Sequence, residues 1–489
     1  MQSVRFRFLL LCSITFILCS MLTILHFVGL PSFVTAAVPS VCLLSKHNYP
    51  QNAATFHGDL RLFSQAWNQL SFSWLSSSPP VLLRVALFVK VWPFSAAPGG
   101  LERHAQTLHR HLADRGHEIH VFTTDRVSAT INEWQEGCCL FFHVFPPTAR
   151  GFFDVGPAWR TFLSLNASSP FDIVHSESVA LPAVKAKLVG GGVVVSWHGV
   201  AYETIQSDIV QEVLRRQDGE TQPDLKLERA LSHRTHRVVE EIGWFHRYAH
   251  HVATSDYAGE VLETIYQIPH HRLHIIVNGV DEQRFRLDYA GGRRFGQLHG
   301  LPKKGLVLGA AGRLVKDKGY ALLFRAFSLF LLEQPSVTLV LAGDGPWGER
   351  FRELQSRNVI VLGSLTAEQL ALFYNAIDVF VNPTLRAQGL DHTLVEAMLC
   401  GRPVLATHFS SIVRSLRLQE EELGYTFAPN VPSLLAAMRI AVRDGRDVLR
   451  RKGRGCYERA SLLYTATKMA SAYERLFMCV TNSTYCMYY

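Results

Sequence analysis

Short apolar runs alternate with segments of helical periodicity along most of the chain. The first run, Val81 to Val91, precedes a segment in which Leu101, Ala105, Leu108 and Leu112 recur at helical spacing. This order predicts a βαβ unit. Strands that are apolar throughout, with helices between them, predict a parallel sheet covered on both faces. Further runs in the first half lie at residues 119–122, 172–175, 193–197, 251–255 and 273–277.

The alternation stops over residues 281–304, where charge and glycine replace it, and we interpret this stretch as a linker. It then restarts, so the chain is predicted to form two doubly wound α/β domains with a cleft between them. Ligands of such sheets bind outside the carboxyl ends of the strands. The apolar runs of the second half lie at residues 306–311, 337–342, 359–362, 379–382, 403–406 and 425–427.

The first thirty residues follow another pattern. Arg5 and Arg7 precede eighteen uncharged residues, 8–25, close to the roughly 20 that span a bilayer as a helix. A positive end stays cytoplasmic, which predicts a single-pass type II membrane protein with its body in the lumen. The short anchor favours the Golgi over the endoplasmic reticulum. A cleaved signal peptide is the alternative, since residues 34–37 are small.

These patterns divide the chain into five predicted segments. They are a tail and anchor at 1–30, a stem at 31–80, two α/β domains at 81–290 and 291–456, and a closing helix and tail at 457–489.

Composition adds three constraints. The net charge of this 489-residue chain is +8, but its basic residues are scattered, so we expect no nucleic-acid partner and favour an anionic cosubstrate. The cysteines show no zinc pattern and predict no metal site, and a disulfide among Cys138, Cys139, Cys479 and Cys486 stays open. Two glycosylation sequons begin at Asn166 and Asn482 and agree with a lumenal body.

Basic and glycine residues follow two strands of the second half. Arg313 and Lys318 flank the turn after the strand at 306–311. A guanidinium fork and a mobile ammonium suit a diphosphate, although a solvated basic turn is equally consistent with the pattern. Glycines at the next strand end let backbone approach a ligand closely, although an ordinary tight turn is the alternative. The glycine-rich turns comprise Gly312, Gly343, Asp344 and Gly345.

The loop after the strand at 379–382 leads into a helix. Thr393 followed by Glu396 fits the capping-box pattern, so Glu396 either caps this helix or accepts hydrogen bonds from a ligand while free N–H groups face a phosphate. In the first half, Gly99 and Gly100 open a helix as a candidate anion cradle, and His198 follows a strand end.

Six motifs now stand in one order: Gly99-Gly100-Leu101-Glu102, Trp197-His198-Gly199, Asn278-Gly279-Val280-Asp281, Gly312-Arg313-Leu314 with Lys318-Gly319, Gly343-Asp344-Gly345-Pro346, and Glu396-Ala397-Met398 with Gly401-Arg402-Pro403. Over residues 82–475 this resembles glycosyltransferase family 4, the retaining nucleotide-sugar-dependent enzymes of the GT-B fold. The resemblance implies an acceptor-side first domain, a donor-binding second domain and a closing helix that crosses back to the first.

The resemblance also implies residue roles. Arg313 and Lys318 match the pair that grips the donor diphosphate, Glu396 the ribose carboxylate, and His198 the residue that contacts the donor sugar. Gln388 replaces the first Glu of the family motif. Leu390 and Asp391 replace the usual Phe-Gly. The remaining donor-binding residues implied are Gly99, Gly100, Gly312, Gly343, Asp344, Gly345, Gly389, Thr393 and Leu394.

We therefore expect a membrane-anchored glycosyltransferase that uses a UDP- or GDP-sugar, needs no metal, and acts on a glycan, glycoprotein or lipid-linked acceptor. Its catalysis rests on binding the diphosphate charge, which Arg313 and Lys318 retain. The alternative is a catalytically degenerate sugar-nucleotide-binding or scaffold protein. The replacement of the first Glu of the family motif by Gln388 favours this alternative. A NAD enzyme is disfavoured because no GxGxxG follows the first strand.

Overall fold

The computed structural model describes residues 56–72, 79–94, 99–125, 132–217, 225–354, 357–387, 389–416, 418 and 422–489. The predicted anchor at residues 8–25 and most of the predicted stem lie outside the described residues. The described residues form two large, mainly parallel sheets with helices between their strands. The prediction of two doubly wound α/β domains is confirmed.

The N-terminal sheet has eight strands in the order β4-β5-β3-β2-β6-β7-β8-β9. All neighbours are parallel except β4, which pairs antiparallel with β5. The sequence analysis missed β4 because every one of its residues is exposed and no apolar pattern marks it. A short pair, β1 (Gly58–Asp59) and β16 (Met487–Tyr488), lies apart from this sheet. The sheet strands are β2 (Arg84–Val91), β3 (Glu118–Thr124), β4 (Asn132–Glu136), β5 (Leu140–Phe145), β6 (Ile173–Glu177), β7 (Val193–Trp197), β8 (His250–Ala253) and β9 (Leu273–Ile275).

The helices of the first half connect these strands. Two long helices lie between β7 and β8 and extend this domain beside the cleft. The sequence analysis did not predict them, because no apolar run marks them. The helices are α1 (Gly100–Asp114), α2 (Val155–Ser168), α3 (Ala183–Val189), α4 (Ala201–Gln217), α5 (Leu225–Phe245) and α6 (Asp256–Thr264).

The C-terminal sheet has six parallel strands in the order β12-β11-β10-β13-β14-β15. Its strands are β10 (Val307–Ala311), β11 (Thr338–Ala342), β12 (Val359–Gly363), β13 (Val379–Asn382), β14 (Val404–Thr407) and β15 (Gly424–Phe427). Its helices are α7 (Tyr289–Leu298), α8 (Tyr320–Glu333), α9 (Pro346–Glu353), α10 (Ala367–Ala376), α11 (His392–Leu399), α12 (Ser410–Leu416) and α13 (Val431–Leu463).

The stretch interpreted as a linker contains helix α7. Gly292 of α7 packs so closely on α10 that a Cβ there would lie 2.3 Å from the carbonyl oxygen of Asn375. The two glycines that weakened the helical pattern in the sequence, Gly291 and Gly292, are thus the residues that let the helix approach its neighbour.

Residues 56–72, which fall in the predicted stem, pack into the N-terminal core. Leu60, Phe63 and Trp67 are buried there. Asn68 exchanges two hydrogen bonds with the backbone of Val277, donating at 3.0 Å and accepting at 2.8 Å. This part of the segment is therefore attached to the first domain by burial and by hydrogen bonds.

The last helix, α14 (Ala466–Thr481), returns from the C-terminal domain and packs on the N-terminal one. Its Glu474 is buried and accepts hydrogen bonds from Arg115 at 2.6 Å and His117 at 2.8 Å. At the crossing, a Cβ on Gly279 would lie 2.4 Å from the carbonyl oxygen of Thr465. Cys479 in the last turn of α14 forms a disulfide with Cys486, which resolves the pairing that spacing had left open.

Candidate active site

The carboxyl ends of β10 and β11 continue into two loops that pack against each other. The backbone N–H of Leu314 donates to the carbonyl oxygen of Asp344 at 2.7 Å. A Cβ on Gly343 would lie 1.9 Å from the carbonyl oxygen of Gly312, so the close approach requires glycine. Arg313 is exposed beside this closely packed backbone. Four glycines of these loops have positive φ: Gly312, Gly319, Gly343 and Gly345.

Lys318 lies beside the N-terminus of helix α11. Its Nζ is 2.5 Å from Oδ2 of Asp391. Burial by itself would raise the pKa of Asp391, but the charge and hydrogen bond of Lys318 hold it well below its usual range. An ammonium has three N–H donors, so this contact leaves Lys318 able to donate to a ligand as well. Asp391, which departs from the family motif, thus positions the ammonium of Lys318, the cation predicted to bind a diphosphate.

Helix α11 is capped differently from the prediction. Its N-cap is Asp391, whose side chain accepts from the backbone N–H of Thr393. Glu396 instead pairs with Nη1 of Arg103, from helix α1 of the other domain, and its Oε2 accepts a hydrogen bond from Tyr374 at 2.8 Å. The interpretation of Glu396 as a helix cap is therefore wrong. Leu394, two residues before Glu396, is fully buried.

The loop before α11 contacts the first domain. Gln388 lies outside the described residues. Gly389 has φ +58°, and Leu390 is buried, with its carbonyl oxygen accepting from Nδ2 of Asn278 at 3.3 Å. This contact holds Leu390 against the loop after β9 that carries the Asn-Gly motif.

Helix α4 provides further contacts to this loop that the sequence analysis missed. The backbone N–H of Ala387 donates to Oγ of Ser207 at 2.9 Å. The buried carboxyl of Glu203 accepts from the backbone of Val200 and Gly389, and burial raises its pKa to about 7. Polar residues on a long helix carry no local signal for such a role, because their partners lie almost two hundred residues away.

The start of helix α1 faces the start of helix α11. Helix α1 begins at Gly100 with Gly99 as its N-cap. A Cβ on Gly100 would lie 3.6 Å from Nδ1 of His392. His392 is buried, and its Nε2 has no hydrogen-bond partner among the described residues. The predicted anion cradle of the first domain and the predicted donor helix of the second are thus adjacent.

His198 lies at the end of β7 and is held by a buried carboxyl. Its Nε2 is 2.6 Å from Oε2 of Glu177, and its ring lies edge-on to that of His104 with centroids 4.6 Å apart. Burial raises the pKa of Glu177 to about 7 and lowers that of His198 to about 4. His198 is therefore neutral at pH 7, and Glu177 decides which of its ring nitrogens carries the proton.

A chain of polar groups continues behind this pair. His175 lies 3.0 Å from His109 and 2.8 Å from the hydroxyl of Ser196, which in turn is 2.7 Å from the hydroxyl of Tyr473. The network joins the first sheet to helix α14. The sequence analysis did not predict this network, because its histidines lie within apolar strand and helix patterns, where they are indistinguishable from other core residues.

The metal and glycosylation predictions stay predictions. Ligand-type atoms of His104, Glu177 and His198 lie within 4.8 Å of one another and could hold a metal ion, although the atoms of Glu177 and His198 also bond each other. Asn166 is half-buried near the end of α2, and Asn482 is exposed after α14.

Solved structures of similar fold align with about four fifths of the chain. Sucrose-phosphate synthase from Thermosynechococcus elongatus aligns with a TM-score of 0.64 at 20% identity, over 81% of this chain and 100% of that one. Anabaena Alr3699/HepE in complex with UDP-glucose aligns with a TM-score of 0.57 at 16% identity, over 81% and 99%. These similarities establish the GT-B fold.

Relatives in sequence are bacterial glycosyltransferases. The phosphatidyl-myo-inositol mannosyltransferase of Propionibacterium freudenreichii is 24% identical over 391 residues, which is 76% of this chain and 90% of that protein. The enzyme of the same name from Mycobacterium tuberculosis is 25% identical over 415 residues, 80% of this chain and 97% of that one.

The predicted Golgi or endoplasmic-reticulum location is wrong. These relatives come from bacteria, and within the described ranges no helix is long and apolar enough to cross a bilayer. The prediction rested on the apolar run at residues 8–25, outside the described residues. The apolarity of a segment reports its own hydrophobicity and does not identify a compartment.

Two family models match in the order that the motifs predicted. Residues 98–284 match the model described as Glycosyltransferase Family 4, and residues 305–444 match that of Glycosyl transferases group 1. The first match covers the domain of His198 and Arg103, and the second covers the domain of Arg313, Lys318 and Glu396. The chain is a glycosyltransferase and belongs to family 4.

Proposed function

We propose that this glycosyltransferase takes its sugar from a nucleotide diphosphate sugar and transfers it with retention of anomeric configuration. The observation that carries the proposal is the convergence of Lys318, Asp391 and the first turn of helix α11 beside Arg313 and the packed glycine loops. Two cations and the N-terminus of a helix at one strand edge suit a diphosphate.

In this proposal, the chain's own groups act mainly by charge. Arg313 and Lys318 stabilise the negative charge that develops on the departing diphosphate. Glu396 accepts hydrogen bonds from the ribose hydroxyls. His198, neutral and oriented by Glu177, contacts the donor sugar on the acceptor side. No side chain needs to form a covalent intermediate, because the acceptor attacks on the face from which the diphosphate leaves.

The relatives support a donor and acceptor class. A solved structure of similar fold holds UDP-glucose, which supports a UDP-sugar as donor. The name phosphatidyl-myo-inositol mannosyltransferase supports an acceptor hydroxyl on a polyol or sugar ring that is lipid-linked or part of a glycan.

The test is a donor panel. The purified chain is incubated with UDP- and GDP-linked glucose, galactose, mannose and N-acetylglucosamine, and release of nucleotide diphosphate is measured with and without polyol and glycan acceptors. Proton NMR of the product identifies its anomeric configuration. The proposal predicts turnover of one donor with retention. Inversion, or turnover of a non-nucleotide sugar phosphate alone, would refute it.

A further inference from the structure

A polar cavity lies in the C-terminal domain, away from the proposed donor site. It encloses about 270 Å³. Asp378 precedes strand β13 and Arg402 precedes strand β14, so the cavity lies at the amino ends of the strands. The donor residues lie at the carboxyl ends. Its basic and aromatic lining consists of Arg402, Arg446, Arg450, Arg454, Tyr289 and Tyr457.

The charges that line this cavity are unbalanced. Asp378 is the one carboxylate among the lining residues, and it pairs with Arg446 at 3.4 Å. Arg402 donates to two neutral carbonyl oxygens, at 3.0 and 2.8 Å, and lies over the ring of Tyr289 at 5.8 Å. Burial lowers the pKa of Arg402, which reflects the cost of keeping its charge away from water. The cavity therefore favours an anion.

Three of the arginines form a stripe on one helix. Helix α13 is interrupted at Gly445, which has φ +70°, and its second part carries Arg446, Arg450 and Arg454 at intervals of four. Residues four apart share a helix face, where like charges repel each other. Arg450 pairs with Asp447, whereas Arg454 makes no ion pair with any described residue. A bound anion would relieve this repulsion.

The aromatic lining narrows the class of ligand. Two tyrosine rings beside guanidinium groups offer an apolar surface and hydroxyls as well as N–H donors for phosphate oxygens. A volume of about 270 Å³ suits one ring with one charged substituent. We propose that this cavity is a binding site for a small phosphate ester of a sugar or polyol, separate from the donor site.

The experiment is a calorimetric titration of the full chain with glucose 6-phosphate, with glucose as the neutral counterpart. Saturable binding of glucose 6-phosphate and none of glucose is expected. The Arg454→Ala and Arg450→Ala variants are expected to weaken binding by about tenfold each, the effect of losing one charge-assisted contact. Arg402 and Arg446 are left intact because they also bond the backbone around the cavity.

Two controls make the outcome decisive. Arg451→Ala removes one exposed charge from the same helix outside the cavity, and Lys318→Ala removes a cation of the donor site. Both should bind glucose 6-phosphate like the wild type. Absence of saturable binding, equal binding of glucose, or loss of binding in either control would overturn the proposal. Because the readout is binding, the result does not depend on which donor the enzyme uses.

Discussion

Arg103 and Glu396 form an ion pair that joins helix α1 of the first domain to helix α11 of the second. The side chain of Glu396 is only 2% exposed and that of Arg103 is 31% exposed. The nearby charge of Glu396 raises the pKa of Arg103. In the proposed function Glu396 binds the donor ribose, so an incoming ribose would compete with Arg103 for this carboxylate, and the pair would then link donor binding to contact between the domains.

The first prediction concerns this pair. Arg103→Ala leaves a buried carboxylate with Tyr374 as its remaining hydrogen-bond partner among those described, so we expect the free energy of unfolding to fall by about 1–3 kcal/mol. Urea unfolding followed by circular dichroism measures it. The matched control is Arg110→Ala on the same helix, whose ion pair with Glu136 is exposed and is expected to contribute less than about 1 kcal/mol. Equal losses in both variants would contradict the prediction.

The second prediction concerns the diphosphate. Lys318→Ala removes a cation that Asp391 holds at 2.5 Å, and Arg313→Ala removes its exposed neighbour. Each is expected to lower kcat by roughly 10²–10³, as when one transition-state donor is lost. Steady-state kinetics with the donor found by the panel measure this. Lys316→Ala, an exposed change on the same turn, is the control and should keep kcat within about twofold. Near-normal turnover in Lys318→Ala would remove Lys318 from the proposed role.

The sequence allowed the fold and the strand-end motifs to be predicted because both leave local signals. Buried parallel strands are apolar throughout, and glycines mark the turns at their ends. Glu396 illustrates the limit. Its neighbours in sequence indicated a helix cap, whereas its actual partner, Arg103, lies 293 residues away. Asp391 is the N-cap in the structure. Its side chain and that of Thr393 can both accept a hydrogen bond from a helix N–H, so only the three-dimensional arrangement distinguishes them.

The carboxyl groups that are buried beside the site residues were likewise not indicated by the sequence. Glu177 ends an apolar strand, and Glu203 lies on a helix with no marked motif. Their roles depend on His198 and Gly389, which other elements bring near. Periodicity describes the face on which a residue lies, not the partner that it meets there.

The third prediction concerns the contact between the glycine loops. Gly343→Ala places a Cβ 1.9 Å from the carbonyl oxygen of Gly312 at a φ of +136°. The loops must separate, so we expect nucleotide binding to weaken by at least about tenfold and stability to fall by about 1–3 kcal/mol. Calorimetry with UDP and thermal unfolding measure these effects. Gly300→Ala is the control: it also has positive φ, +68°, but no neighbour within 4 Å, so it tests strain without the clash.

The fourth prediction concerns pH. Burial raises the pKa of Glu177 from 4.5 to about 7. A carboxyl whose folded pKa is raised binds more protons in the folded state, so its contribution to stability is present below pH 4.5 and is lost as pH rises through 7. Glu177→Gln removes this loss. The stability of the wild type should therefore decline relative to Glu177→Gln between pH 5 and 8 in urea unfolding.

The exposed Glu458→Gln change provides the control for that series. Its stability curve should run parallel to that of the wild type over the same range. Parallel curves for Glu177→Gln as well would mean that Glu177 is ionised in the folded protein throughout, and that His198 always donates its Nε2 proton to it.

The last prediction concerns Gln388, which occupies the position of the first Glu of the family motif. A glutamine still hydrogen-bonds sugar hydroxyls but adds no negative charge near the anomeric carbon. Gln388→Glu supplies that charge. It should stabilise positive charge that develops on the sugar, which raises kcat, and repel the nearby diphosphate in the ground state, which raises KM. We expect each constant to change by about tenfold, or about 1.4 kcal/mol, and donor preference to change with them. Gln388→Ala, which removes the hydrogen bonds without adding charge, separates the two effects. A wild type that turns over no nucleotide sugar with any acceptor, beside an active Gln388→Glu variant, would instead identify the glutamine as the loss of a catalytic group.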